Sequence, residues 1–384
     1  MDSSHPASPL PPPTSGASIA DAAIPEVSII VPARNEEANL AACLESLFAQ
    51  SQIAQTGVRI EIIVVDDAST DRTHEIAESF AGVKMISPAP LHGNWTGKNN
   101  ALIAGAKKAR APWLLFTDAD TVHQPGSLAR ALTEAKEERA DLLSYSPQQI
   151  VATLAERAVM PAIFAALAAQ YPPHKVRDQN AKVVAANGQY ILVRRAAYDA
   201  VGGHAAVANE ILEDVALARL FRSAGYRVYF RYAADAVRTR MYRNWAQLRE
   251  GWTKNLALLF PPPESLAFKT LFWWFAAWCA LAFAVTASGD HHHLSLVFAA
   301  VWLLAFLRIS TSRFAPLNNL LAITAGLPLF AYLLIRSKRA HAHGQVLWKG
   351  RVYEAAAHNE NAPDRKQLVN CTPLIEKPGF RTES

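Results

Sequence analysis

Cysteine is scarce in this chain of 384 residues, and the three present, Cys43, Cys279 and Cys371, lie far apart with no C-x-x-C or Cys/His pattern. Neither a disulfide framework nor a zinc site is supported, and the soluble part reads as cytosolic. A basic stripe interleaved with aromatics is also missing from the first 250 residues, so the net charge of +5 does not point to nucleic acid. The positive excess lies largely in and after a hydrophobic region toward the C-terminal end, which points to a membrane surface. Residues 1–25, "MDSSHPASPLPPPTSGASIADAAIP", lack a charged n-region and a long apolar run; they read as a flexible Pro/Ser-rich tail and not as a signal peptide. No internal repeat is visible. With 51% hydrophobic and 18% charged residues the chain can bury a sizeable core, and its length suggests more than one structural unit.

What is present from residue 26 to about 260 is an alternation of strand and helix patterns: "VSIIVPA" then "EANLAACLESLFAQ", "IEIIVVDD" then "HEIAESFA", "WTGKNNALIAGAKKA" then "WLLFTDAD". That rhythm predicts an α/β fold with a mostly parallel sheet and helices on both faces. Ile60, Ile62, Ile63, Val64 and Val65 form a nearly continuous apolar run that ends on Asp66 and Asp67. In open α/β sheets ligands bind outside the carboxyl ends of the strands, although an isolated Asp-Asp is more often a turn or a helix cap. A Ser/Thr/Asp cluster followed by Glu75 predicts that a helix starts near Asp71.

A second buried strand, Trp113 to Thr117, ends on Asp118 and Asp120. One small residue between two carboxylates lets both face one pocket, where one can coordinate a hard divalent cation and the other the cation or a ribose hydroxyl. A lone D-x-D is commonly a turn; two acidic strand ends on neighbouring strands would converge on one crevice. Between them, Gly93 and Gly97 permit close backbone approach, and Lys98 with a helix N-terminus could neutralise an anion such as a diphosphate. Asn99 breaks the Walker A spacing, so ATPase chemistry is not supported. Glu213 and Asp214 then open an amphipathic run through Val215, Leu217, Leu220 and Phe221. Acidic residues favour helix starts for dipole reasons; alternatively one of these carboxylates faces an acceptor hydroxyl as general base.

Taken together, "VSIIVPARNEE", "IIVVDDASTDRT", "GKNNAL", "FTDAD" and "LEDVALARLFRSAGYRV" resemble the motif series of the family 2 glycosyltransferases, which have the Rossmann-like GT-A fold. The further strings "NGQYILVRRAAYDAVGGH", "EGWTKN" and "VLWKGRVY" are similar to membrane-attached members associated with hopanoid and carotenoid pathways. The resemblance implies that Pro32, Arg34, Glu36 and Asp66 or Asp67 hold the uridine of a UDP-sugar. It implies further that Asp120 touches Mg²⁺ or Mn²⁺ and that Asp118 binds the ribose or the metal. Lys98 would help stabilise the departing diphosphate, Asp214 would be the base, and Glu213 would support it or contact the acceptor. One direct displacement inverts the anomeric centre. Processive members carry Q-x-x-R-W before their membrane helices, whereas here Gln247, Arg249 and Trp252 stand at different spacing, so transfer of a single sugar is implied. A catalytically inactive binding or scaffold protein is the alternative, and the filled acidic positions speak against it.

Residues 268–336 hold three apolar segments, 271–288, 294–307 and 320–335, and a membrane crossing needs about 20 residues. They predict a region of two to three membrane helices following a catalytic domain over 26–260, with 337–384 a basic and then polar tail. The preference for Lys and Arg on the cytoplasmic side predicts an even number of crossings of the cell membrane, catalytic domain and tail both cytoplasmic. The acceptor favoured is a lipid or isoprenoid alcohol.

Overall fold

The computed structural model describes residues 24–51, 57–93, 95–286, 292–348 and 351–354. They fall into two compact units, the first made of the described residues up to Val151 together with Leu167–Met241, the second of Ala152–Ala166 and the described residues from Tyr242 onward.

The first unit is built on ten strands: β1 (Val27–Ala33), β2 (Ile60–Asp66), β3 (Val83–Ile86), β4 (Trp113–Phe116), β5 (Thr121–His123), β6 (Leu142–Ser146), β7 (Gln148–Gln149), β8 (Ile191–Arg194), β9 (Val228–Tyr232) and β10 (Val237–Thr239). Seven form the central sheet in the order β3-β2-β1-β4-β8-β6-β9. All its pairings are parallel except those of β8, which runs antiparallel to both β4 and β6. This is the α/β architecture with a mostly parallel sheet that the alternating strand and helix patterns predict.

Strand period two divides the core cleanly. Ile29, Val31, Val64 and Leu115 pack on one face against Leu40, Leu44 and Leu47 of helix Leu40–Ser51. Ile30, Ile63, Val65, Leu114 and Phe116 pack on the other against Ala101 and Leu102 of helix Gly97–Lys108 and Leu217 and Phe221 of helix Glu213–Ser223. A strand buried on both faces has no room for polar side chains until it ends, so the aspartates gather where β2 and β4 stop. A second, three-stranded sheet, β5-β10-β7, lies just beyond the end of β4 and sets Thr239 opposite Thr121.

The second unit is helical apart from one hairpin, Gln345–Trp348 paired antiparallel with Arg351–Glu354. Helices Pro263–Thr286 and Pro316–Ala342 are long and apolar enough to cross a membrane, while the apolar part of a third, Ser295–Ser310, is shorter. The last long helix contains a π-helical turn, Ala322–Gly326, and the Trp274 indole donates to the Thr324 carbonyl there at 3.1 Å. Gly326 is required at this point, because a Cβ would lie 1.9 Å from the Ala158 carbonyl oxygen. Helix Pro263–Thr286 leaves Phe268, Phe272, Trp273 and Phe275 exposed, Trp273 by 64%. Side chains of this size are rarely left in water on consecutive turns.

Candidate active site

The carboxyl ends of β2, β1 and β4 lie side by side, with β1 in the middle. Ala33 of β1 pairs with Asp66 of β2, and Asp67 donates its N–H to the Ala33 carbonyl at 2.8 Å, which seats both aspartates at the sheet edge. Both are almost fully buried. Asp66 accepts the Ser69 N–H at 3.0 Å and stands 3.3 Å from His74 Nδ1. The Arg34 guanidinium donates to the Asp67 carbonyl at 2.7 Å, and Asn35 and Thr70 close a second link between the loops after β1 and β2 at 2.9 Å. Asn35 and Ala68 take left-handed conformations, φ 53° and 55°, in these two loops. A residue with a Cβ holds that conformation only where its surroundings impose it, and such strain gathers at ligand sites. Glu36 donates its N–H to the Thr73 hydroxyl and accepts the Asn39 amide on its carboxylate, and Pro32 lies within β1 beside Val65. Helix Thr73–Ser79 starts two residues after Asp71, whose carboxylate accepts the Thr73 N–H at 3.0 Å.

Lys98 lies at a helix N-terminus. It is the second residue of helix Gly97–Lys108, which Thr96 caps by accepting the Asn99 N–H at 3.2 Å. Its ammonium sits between Asp118 Oδ1 at 2.8 Å and Glu213 Oε1 at 2.7 Å. Burial alone would lower its pKa, but these two carboxylates hold it well above the usual lysine value. Asp214 is fixed from the backbone: Oδ2 accepts the Gly188 N–H at 2.9 Å and Oδ1 accepts its neighbour Val215 N–H at 2.8 Å. Burial, with the adjacent Glu213 charge, pushes the Asp214 carboxyl up to about 6, while Lys98 and the two N–H groups pull the other way. Asp120 sits two residues beyond Asp118, its carbonyl accepting the Thr239 hydroxyl at 3.1 Å.

The structure therefore brings Lys98, Asp118, Glu213 and Asp214 into one constellation around Gly188, and groups Pro32, Arg34, Glu36, Asp66 and Asp67 at the neighbouring strand ends. A Cβ on Gly188 would stand 3.1 Å from Lys98 Nζ, 3.3 Å from Glu213 Oε1 and 3.6 Å from Asp214 Oδ2. Sequence reasoning gave no role to Gly188, nor to Asn99, whose buried amide donates to the carbonyls of Val207, Ala208 and Glu210 at 2.9 to 3.1 Å. Those three carbonyls precede Glu213, so Asn99 ties the lysine's helix to the segment that delivers the acidic pair. The strings "GKNN" and "NGQY" contain both residues, but the Gly188 N–H partner lies 26 positions away and the Asn99 partners 108 to 111, so neither leaves a local signal.

Among the described residues no group of three or more His, Cys, Asp and Glu side chains is arranged to hold a metal ion by itself. The donor set is a pair of carboxylates, Asp118 and Asp120, and Mg²⁺ is commonly bound by one or two carboxylates plus substrate phosphate oxygens. Asp118, Asp120, Glu213 and Asp214 also outnumber the Lys98 ammonium, an excess of negative charge that favours a cation. The residues fit such an ion.

The sequence model described as Glycosyl transferase family 2 matches residues 28–202. These residues form a family 2 glycosyltransferase domain. Among curated relatives, a 4,4'-diaponeurosporenoate glycosyltransferase of Staphylococcus aureus (strain MRSA252) is 28% identical over 340 residues, covering 85% of this chain and 88% of the relative. Solved structures of similar fold include the mannosyltransferase PcManGT from Pyrobaculum calidifontis with GDP-Man and Mn²⁺, 16% identical with TM-score 0.47, covering 83% of this chain and 87% of that one. Staphylococcus aureus TarS 1-349 with UDP-GlcNAc is 15% identical with TM-score 0.38, covering 85% and 95%. The family 2 domain thus contains β1, β2, β4 and the Gly188 turn, and Glu213 and Asp214 follow just after its matched limit.

Proposed function

We propose that this glycosyltransferase moves one sugar from a nucleotide-diphosphate sugar, of the UDP type, to a hydroxyl of a lipid or isoprenoid-type acceptor at a membrane, with inversion. The observation that carries the reading is the Lys98–Asp118–Glu213 cluster with Asp214 held beside it on the Gly188 N–H. In this reading Arg34, Glu36, Asp66 and Asp67, with Pro32, form the wall for the base and ribose. Two of the three N–H donors of Lys98 hold Asp118 and Glu213 in place, and the third is left for a diphosphate oxygen. Asp118 and Asp120 would hold Mg²⁺ or Mn²⁺, which neutralises the leaving diphosphate. Asp214 accepts the acceptor's hydroxyl proton as the new bond to the anomeric carbon forms and the bond to the diphosphate oxygen breaks. Glu213, already paired with Lys98, is the poorer base and orients the group beside it.

The relative named for 4,4'-diaponeurosporenoate supports a carotenoid-type or other isoprenoid acceptor. So do the exposed aromatic helices of the second unit, which suit a hydrocarbon environment. We assign the catalytic domain to 26–260 and the membrane region to 268–336, with the domain facing the cytoplasm. The test is calorimetric titration of the full chain in detergent with UDP. The reading predicts tight binding only with Mg²⁺ or Mn²⁺ present and its loss in Asp120→Ala; metal-independent binding unaffected by Asp120→Ala would contradict it.

A further inference from the structure

A chain of buried neutral side chains lies beneath the acidic turn and takes no part in the chemistry above. The Gln189 amide donates to Thr239 Oγ1 at 3.2 Å, and Thr239 Oγ1 donates in turn to the Asp120 carbonyl at 3.1 Å. The Gln189 main chain is held as well, its carbonyl accepting the Thr117 hydroxyl at 2.8 Å. Thr117 immediately precedes Asp118, so the bonds of one residue reach both ends of the Asp118–Asp120 turn. The peptide N–H just before it, that of Gly188, is the donor to Asp214. Gln149 completes the set by donating to the Gln189 side-chain oxygen at 3.4 Å.

Thr117, Gln149, Gln189 and Thr239 are all buried, Gln189 to 5% exposure. Burying amides and hydroxyls here is costlier than burying hydrocarbon unless each finds a partner. Two of these partners are main-chain groups of the site loops, the Asp120 carbonyl and the Gln189 carbonyl, and one peptide away the Gly188 N–H holds the Asp214 carboxylate. No member of the chain from Thr117 through Gln189 to Thr239 ionises, and burial lowers the pKa of the His123 ring that stands 3.1 Å from the Thr117 hydroxyl, which keeps it neutral. The small sheet explains the placement, because β10 presents Thr239 between Thr121 of β5 and Gln149 of β7.

We propose that Gln189 is a positioning residue that fixes the separation between the Asp118–Asp120 turn and Asp214, using Thr239 as its relay. It rests on the glycosyl-transfer reading above. The donor sugar is located by the turn and the acceptor oxygen by the base, so an error between them acts on the alignment of attack rather than on nucleotide binding.

The test uses the full chain in detergent with four variants, Gln189→Leu, Thr239→Val, Thr239→Ser and the double variant Gln189→Leu/Thr239→Val. Transfer kinetics, UDP affinity by calorimetry with Mn²⁺, and the thermal midpoint are read together. Thr239→Val, close in shape, is expected to lower kcat by about tenfold or more with KM for the donor and UDP affinity near wild type. Thr239→Ser, which keeps the hydroxyl, is expected to return to within about threefold of wild type, and the double variant to be no slower than the worse single one. Should Gln189→Leu fail to fold, the Thr239→Val and Thr239→Ser pair decides alone. Wild-type kcat in a folded Thr239→Val, or Thr239→Ser as slow as Thr239→Val, would overturn the positioning role. Wild-type protein that transfers no sugar would instead overturn the underlying reading.

Discussion

Asp214 holds its charge on two backbone N–H groups while burial and Glu213 work against it, and the balance leaves its carboxyl at about 6. A carboxylate of that basicity is ionised near neutral pH yet accepts a proton more readily than an ordinary aspartate. Only the ionised form can take the acceptor proton, so kcat is expected to fall as pH drops through about 6, as a pH–rate profile will show. Asp214→Asn is expected to cost about 10² to 10⁴-fold in transfer with UDP affinity unchanged. Gly188→Ala makes a separate prediction. The new methyl would press on Lys98 Nζ and Glu213 Oε1, both ends of movable side chains, so the protein should fold but transfer about tenfold or more slower. Asp118, Asp120 and Asp214 were legible in the sequence because each follows a strand or opens a helix. The pairing of Lys98 with two carboxylates was not, since it depends on how three elements meet.

At the scale of elements, helix Gly97–Lys108 and the segment before Glu213 are joined through the Asn99 amide. Asn99→Ala would leave buried carbonyls without that donor, and a loss of about 1 to 3 kcal/mol is expected, read as a lowered thermal midpoint together with slower transfer. The strands β1, β2 and β4 were legible from their apolar runs, which persist because the sheet is covered on both faces. The reversed direction of β8 was not, because hydrophobic period reports which face a residue takes and says nothing of strand polarity. Its place between β4 and β6 nevertheless sets Asn187–Gln189 at the end where the parallel strands finish. Lys98 stands inside the first turn of helix Gly97–Lys108, whose N-terminus adds positive potential beside Asp118.

For the molecule as a whole, the charge pattern and the exposed Phe and Trp side chains on helix Pro263–Thr286 argue for attachment to a membrane. With the native cysteines replaced, single cysteines at Asp290 and Gly350, both outside the described residues, are expected to differ. Neither the tail at 350 nor the catalytic domain should react with an impermeant reagent added to intact cells, and labelling of position 350 from outside would refute that topology. The most direct measurement of function is to incubate membranes bearing the protein with a panel of UDP-sugars, Mn²⁺ and a host lipid extract, and to weigh the lipids by mass spectrometry. Transfer of one sugar predicts a lipid heavier by a single sugar residue with wild-type membranes and no such product with Asp214→Asn. A ladder of several sugars, or no product from any donor despite nucleotide binding, would contradict it.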